Sequence, residues 1–259
     1  LLAKHLRSRL AALWPQLDIE DASGLERVGV RAGAGDEVQI ILESSNPQGL
    51  AFSVEELSIS AVHLGPGGCL VLAGSEALIF EVLGRAFQVS GGAFFQVNTL
   101  QAEAMVKHLL LSLPLSSQSC VLEVYCGVGL FSAFLAPRVR RLVGIENSPD
   151  ACADFAANLD EFDNVELYAA NAEEVLKAVI FQADVIVVDP PRAGLGRQAL
   201  DGLLAQDAPH LAYVSCDPAT LARDARRLAE NGYRLLQVTP FDLFPQTYHI
   251  ESISLWQKG

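Results

Sequence analysis

Residues 120–131 read Cys120-Val-Leu-Glu123-Val-Tyr125-Cys126-Gly127-Val-Gly129-Leu-Phe131. An apolar run of strand length meets a glycine-spaced turn, and the chain beyond it is suited to a helix. Glycines at such a turn let a ligand approach the backbone, and the helix N-terminus favours electron-rich groups. Seventeen residues after Gly129, the run Leu142-Val-Gly-Ile-Glu146 closes a second apolar strand on a carboxylate. A carboxylate at that strand end is placed to accept hydrogen bonds from two ribose hydroxyls. The dinucleotide fingerprint fails, because Ser132 holds the third glycine position. An adenosine cofactor without a pyrophosphate, such as S-adenosylmethionine, fits better.

Outward from this stretch, apolar strands are expected at 120–125, 141–146, 165–169, 183–189, 211–216, 234–239 and 250–257, with helices in most gaps. That alternation predicts a mostly parallel, seven-stranded, Rossmann-like sheet in an α/β domain. Ser148-Pro149 and Asp217-Pro218 each combine a capping side chain with a proline in the first turn, which starts a helix. Upstream of Ser90-Gly91-Gly92 the pattern differs. Short β-like runs at 26–31, 38–43, 57–64, 69–72 and 78–89 are separated by turn residues such as Asn46-Pro47 and Gly65-Pro-Gly67-Gly68, which predicts a smaller, mainly antiparallel sheet. Leu2, Leu6, Leu10 and Leu13 recur at helical spacing before Pro15, so residues 1–14 read as an amphipathic helix. Two domains follow: residues 1–90, an α+β N-terminal domain, and residues 91–259, a catalytic one.

The 259 residues are 51% hydrophobic and 19% charged, a globular composition that excludes disorder. No apolar run approaches the ~20 residues that span a bilayer. Five cysteines without a C-x-x-C pair argue against a secreted disulfide framework and for a cytoplasmic protein. The sole methionine is Met105, so Leu1 is not expected to be a translation start and a preceding segment is expected. The net charge of −13 at first opposes nucleic acid, whose phosphates attract Lys and Arg.

Three further motifs carry chemistry. Asp184-Val-Ile-Val-Val-Asp189-Pro-Pro-Arg192 ends an apolar strand in an acid, with two prolines holding the chain extended; Asp189 is expected at the floor of the cofactor pocket. In Leu211-Ala-Tyr-Val-Ser215-Cys216-Asp217-Pro218, Cys216 sits where a buried strand meets a helix N-terminus. Such a helix end favours a thiolate, making Cys216 the candidate nucleophile. In Phe244-Pro-Gln-Thr-Tyr248-His249-Ile-Glu251, Glu251 starts the strand face shared with Ile253 and Leu255. A carboxylate there is desolvated, which raises its proton affinity and suits a general base. Gln96, polar in the apolar run Phe94-Phe95-Gln96-Val97, is a candidate cofactor contact.

Taken in order, Phe-Phe-Gln-Val-Asn (94–98), Tyr-Cys-Gly-x-Gly (125–129), Asp-Pro-Pro-Arg (189–192), Ser-Cys-Asp-Pro (215–218) and Phe-Pro-Gln-Thr-x-His-x-Glu (244–251) resemble the S-adenosylmethionine-dependent RNA 5-methyluridine methyltransferases. The resemblance is dense over residues 90–258 and loose before them. It implies a class I methyltransferase domain acting on tRNA or large-subunit ribosomal RNA. It also implies Cys216 as nucleophile, Glu251 as base, and cofactor contacts at Gln96, Tyr125, Glu146 and Asp189, beside Gly127 and Gly129 of the turn. Some members have Asn where Leu130 stands, so a polar cofactor contact is expected to be missing. Some carry an iron–sulfur cluster on N-terminal cysteines; only Cys69 lies in that half, so neither cluster nor metal is expected. Many begin with a small RNA-binding β-barrel, which has no counterpart here and is expected to belong to the preceding segment. Phe94, Phe95 and Phe244 are candidates to stack on an extruded uracil, with core packing the alternative for each. Arg192, Arg197, Arg223, Arg226 and Arg227 are candidates for RNA phosphates, with a solvated face the alternative. A methyltransferase for a non-RNA substrate, and a non-catalytic RNA-binding or folding factor, are the competing functions.

Overall fold

All five side chains of the strand Cys120–Val124 are buried, so apolar groups leave it on both sides. Such a strand belongs inside a sheet covered by helices on both faces. The computed structural model builds that sheet; it describes residues 18–19, 24–35, 37–45, 52–53 and 59–259. The helix expected over 1–14 and the Asn46-Pro47 turn lie outside the described residues. The chain divides into two compact units, Leu1–Ala93 and Phe94–Gly259.

The first unit contains β1 (Asp18–Ile19), β2 (Leu25–Ala32), β3 (Val38–Ser44), β4 (Phe52–Ser53), β5 (Ser60–Gly65), β6 (Gly68–Ala73), β7 (Ala77–Val82) and β8 (Arg85–Ser90). β2, β3, β5 and β6 form one sheet, and β1–β4 and β7–β8 form two-stranded pairs. All these ladders are antiparallel except β3–β5. Val38, Ile40, Leu42, Ile59 and Ala61 pack its core. The run 78–89, expected as one strand, is a hairpin. Leu83 and Gly84 take φ of 53° and 75°, the left-handed pair that closes a two-residue turn matched to strand twist.

The second unit runs α1 (Thr99–Ser112), β9 (Cys120–Val124), α2 (Ser132–Leu135), a 3-10 turn, β10 (Arg141–Glu146), α3 (Pro149–Asn158), β11 (Val165–Ala169), α4 (Ala172–Ala178), β12 (Val185–Val188), α5 (Arg197–Ala205), β13 (His210–Ser215), α6 (Pro218–Glu230), β14 (Tyr233–Phe241) and β15 (Glu251–Lys258). Its seven strands lie in the order β11-β10-β9-β12-β13-β15-β14. The ladders from β11 to β13 are parallel, and β15 runs antiparallel to both its neighbours. The capping signals act as the sequence suggests. Ser148 accepts from Ala151 N at the start of α3, and Asp217 accepts from Ala219 N and Thr220 N at the start of α6. The order reverses between β9 and β12, and open α/β sheets bind ligands in the crevice outside the carboxyl ends of the strands at such a point.

Candidate active site

The crevice edge collects the candidate residues from distant parts of the chain. Tyr125 follows β9, Glu146 ends β10, Asp189 follows β12 and Cys216 follows β13. β15 runs the other way, so its first residue, Glu251, reaches the same edge. The register fixes this: Ser215 pairs with Ser252, which makes Cys216 and Glu251 the next positions across that ladder. On the other side of β15, Phe241 pairs with Glu251. Glu251 is 6% exposed, and Cys216 is half-buried.

The glycine turn is shaped by three left-handed residues. Tyr125 N and Cys126 N both donate to Ile145 O, at 2.8 and 3.1 Å, which turns the chain sharply and sets Tyr125 at φ 62°. A non-glycine residue there carries strain of about 1 kcal/mol. Gly127 and Gly129 follow at φ 53° and 88°. A Cβ at Gly129 falls 2.3 Å from Leu159 Cδ1, so this glycine lets the turn pack against its neighbours; a Cβ at Gly127 meets nothing within 4 Å. Gly127 thus leaves backbone open to a ligand.

Glu146 accepts from Gly127 N (3.0 Å) with Oε2 and from Asn147 N and Ser148 N (both 2.8 Å) with Oε1. A carboxylate has about four acceptor positions, so acceptor capacity remains for a ligand hydroxyl. Gln96 is 6% exposed and its Oε1 finds no partner among the described residues. A buried acceptor left so costs about 1–3 kcal/mol, which a ligand donor would recover. An unpaired acceptor, open backbone and a part-occupied carboxylate fit a ligand bearing hydroxyl and amino groups.

The carboxyl groups at this edge hold protons tightly. Burial, then the charge of Asp189, pushes Glu251 up to about 7, and burial pushes Asp189 itself to about 7. Glu123, on β9 beneath the turn, is fully buried and rises to about 8, for the same reason in the main. Its partner is the hydroxyl of Ser132, which donates to Oε2. In the sequence Glu123 is marked only by being an acid within the apolar run 120–125. Tyr125 is pushed up to about 12 by burial, with Glu173 and Glu146 adding to it.

The expected acidification of Cys216 by the helix end is overturned. Burial first, then Glu251 and Asp189, raises the thiol above its ordinary value, while its own backbone and Arg192 act only weakly against them. Asp217 Oδ1 also takes the free N–H groups of Ala219 and Thr220, which leaves fewer of them at the start of α6 to favour a thiolate.

The aromatic candidates separate. Phe95 is core, Phe94 is 67% exposed, and Phe244 is half-buried with its ring edge-on to His249. Leu130 is buried. Each of the five candidate arginines has an acidic neighbour: Arg192–Asp217 and Arg197–Asp201 at 3.9 Å, Arg223–Asp224 and Arg226–Glu230 at 2.9 Å, and Arg227 on Asp201. Arg223 also donates to Ala193 O and Leu195 O, which ties the segment after Asp189-Pro-Pro to α6. Among the described residues no group of three or more His, Cys, Asp and Glu is placed to hold a metal ion. No described helix is long and apolar enough to cross a membrane.

A family model described as tRNA (Uracil-5-)-methyltransferase matches residues 76–258. An uncharacterized RNA methyltransferase of Streptomyces avermitilis is 35% identical over 94% of this chain and 58% of its own length. Another, from Thermosynechococcus vestitus, is 42% identical over 71% of this chain and 42% of its own. The chain therefore spans about half the length of these curated relatives. Among solved structures, the Pyrococcus abyssi tRNA (uracil-54, C5)-methyltransferase in complex with S-adenosyl-L-homocysteine superposes with a TM-score of 0.73 at 23% identity, covering 98% of this chain and 65% of that one. TYW2 of M. jannaschii, in complex with AdoMet, gives 0.55 at 14% identity over 85% and 97%. These two likenesses establish a shared fold. The family match, which spans most of the second unit and begins within the first, establishes more: the chain belongs to the tRNA (uracil-5-)-methyltransferase family.

Proposed function

We propose that this chain methylates C5 of a uridine in tRNA or large-subunit ribosomal RNA, using S-adenosylmethionine, with Cys216 as nucleophile and Glu251 as base. Residues 91–259 are the catalytic domain in this reading, residues 1–90 an accessory one. The observation that carries it is the placement of a thiol and a buried carboxyl at facing positions of one sheet edge, across the β13–β15 ladder. In support of the cofactor, Gln96 Oε1, the open backbone at Gly127 and the remaining acceptor position of Glu146 suit an adenosine with amino and hydroxyl groups. Tyr125, Gly129 and Asp189 shape the same pocket.

Uracil C5 is a poor nucleophile in its resting form. As the Cys216 thiol releases its proton to solvent, Sγ bonds to C6 and the ring becomes an enolate whose electron density gathers at C5. S-adenosylmethionine, when bound, would supply the methyl carbon that C5 takes, its sulfur keeping the bonding pair and leaving as S-adenosylhomocysteine. Glu251 then removes the remaining C5 proton; the electron pair re-forms the C5–C6 double bond and the C6–Sγ bond breaks. A carboxyl held at about 7 is partly ionised at neutral pH and still basic enough for this step. The uridine must leave its stack to reach the crevice, which costs a few kcal/mol.

RNA containing 5-fluorouridine tests this, because fluorine at C5 cannot leave as a proton does. With S-adenosylmethionine present, a covalent protein–RNA band on a denaturing gel is expected, absent in Cys216→Ala. Glu251→Gln is expected to accumulate the same adduct on ordinary RNA. No adduct on any tRNA or ribosomal RNA transcript refutes the activity, and unaltered turnover of Glu251→Gln refutes the base.

A further inference from the structure

The connection between β14 and β15, residues 242–250, leaves the sheet at Phe241 and returns at Glu251, directly at the candidate active edge. It is pinned rather than open. Leu243 is buried, and its N–H donates to Phe241 O at 3.2 Å. Thr247 donates twice to Phe244 O, from N at 3.1 Å and from Oγ1 at 2.8 Å. Its hydroxyl oxygen accepts from His249 N at 3.2 Å, and Gln246 takes the left-handed φ of 70° that closes the turn. These bonds hold three rings in sequence. Phe244 meets His249 edge-on at 5.9 Å between centroids, and Tyr248 lies over His249 at 4.2 Å with 40° between planes. Tyr248 is nevertheless 85% exposed. The carboxyl of Asp217, the residue after Cys216, is held below the usual range by the Thr220 and Ala219 amides first and then by Arg192, with His249 near enough to add the smallest of these effects. Asp217 in turn lies 3.9 Å from Arg192.

We propose that Tyr248 is a specificity-determining residue whose ring stacks on a nucleobase beside the target uridine. The inference rests on the RNA activity proposed above and names the feature of the substrate that this rim reads. A large aromatic held nearly wholly in water gains little from packing, and one already fixed against a second ring gives up little freedom when a third plane is added. Single-stranded RNA is read this way, by stacking of unpaired bases on aromatic side chains. Arg192, beside Asp217 at the same rim, supplies a cation for an adjoining phosphate, which favours a nucleotide over a protein partner.

The test uses the full-length protein and steady-state methylation of tRNA and ribosomal RNA transcripts, followed by a short stem-loop from whichever is modified. Tyr248→Ala is expected to raise KM for RNA roughly 5- to 100-fold, the usual range for one stacked base, with kcat at saturating RNA within about twofold. Tyr248→Phe and Tyr248→Trp are expected to keep the wild-type KM. Abasic nucleotides are then placed in turn on either side of the target. At one position the abasic penalty seen with wild type is expected to vanish in Tyr248→Ala. An unchanged KM in Tyr248→Ala overturns the inference alone, as does a loss equal in Tyr248→Phe or abasic penalties that add at every position. A wild-type protein that methylates no transcript overturns the activity and this inference with it.

Discussion

Glu123 gives the sharpest test of how the site is built, because its protonation is a property of folding. Its carboxyl is fully buried and held up at about 8 against an ordinary 4.5, chiefly by burial, with the Ser132 hydroxyl opposing and Asp189 adding. Between those two values the folded chain keeps a proton that the unfolded chain releases. Stability must therefore fall as pH rises through this window, being unaffected by Glu123 below about 4.5 and most reduced above about 8. At ~1.4 kcal/mol per pH unit the gap bounds the penalty near 5 kcal/mol at pH 8, and relaxation of the surroundings lowers this to about 2–3 kcal/mol. Glu123→Gln removes the titration while keeping size and an oxygen to accept from Ser132. Urea unfolding, followed by the fluorescence of the buried Trp256 in a Trp14→Phe background, compares the two proteins at pH 5 and pH 8. The variant is expected to be more stable than its parent by about 2–3 kcal/mol at pH 8 and within about 1 kcal/mol at pH 5. A difference independent of pH, or a less stable variant at pH 8, refutes the reasoning.

Glu251 predicts a second pH effect, on rate. Resolution of a preformed adduct, measured by rapid quench from pH 5.5 to 8.5, should rise about tenfold per unit below about 7 and level off above it, since only the ionised carboxyl accepts the C5 proton; a flat profile removes Glu251 as the base. The two glycines of the turn should separate by phenotype. Gly129→Ala drives a Cβ into Leu159 and Phe155 and should cost about 3 kcal/mol or more in thermal unfolding. Gly127→Ala, which meets nothing, should cost only about 1 kcal/mol yet weaken S-adenosylmethionine binding at least roughly tenfold by calorimetry. Asp224, buried on α6, accepts from Leu195 N (2.8 Å), Tyr213 Oη (2.7 Å) and Arg223 Nε (2.9 Å). Asp224→Asn should cost about 2–3 kcal/mol and speed proteolysis within residues 190–196.

The inner strands of the larger sheet were legible because they are buried on both faces, so each prints as an apolar run that leads into a candidate residue, which the more exposed β11 and β14 do not. Val185–Val188 before Asp189 and His210–Ser215 before Cys216 are such runs, and knowing that sheet edges bind ligands was enough to bring them together. The antiparallel return of β15 was what brought Glu251 to the same edge, and period-two alternation from Ile253 and Leu255 already marked its face. The hairpin within 78–89 escaped because Leu83, which has no turn preference, occupies a left-handed position beside Gly84. The acidity of Cys216 escaped for another reason. Its sign is set first by burial and then by Glu251 and Asp189, distant in sequence, all acting against its own backbone and Arg192. The charge of −13 reads differently once pairing is known. The arginines after Asp189 and Cys216 sit beside Asp201, Asp217, Asp224 and Glu230, so a phosphate must compete with a local carboxylate for each of them. Arg223 is held by the buried Asp224; the other pairs are exposed and worth at most about 1 kcal/mol each, so a phosphate can displace them, with a weaker net attraction than a bare cation would give. On the proposed RNA activity, affinity must then lean on contacts that charge counting does not register, and the proposed stacking of Tyr248, exposed at the rim of the site, is one that sequence composition alone would have passed over.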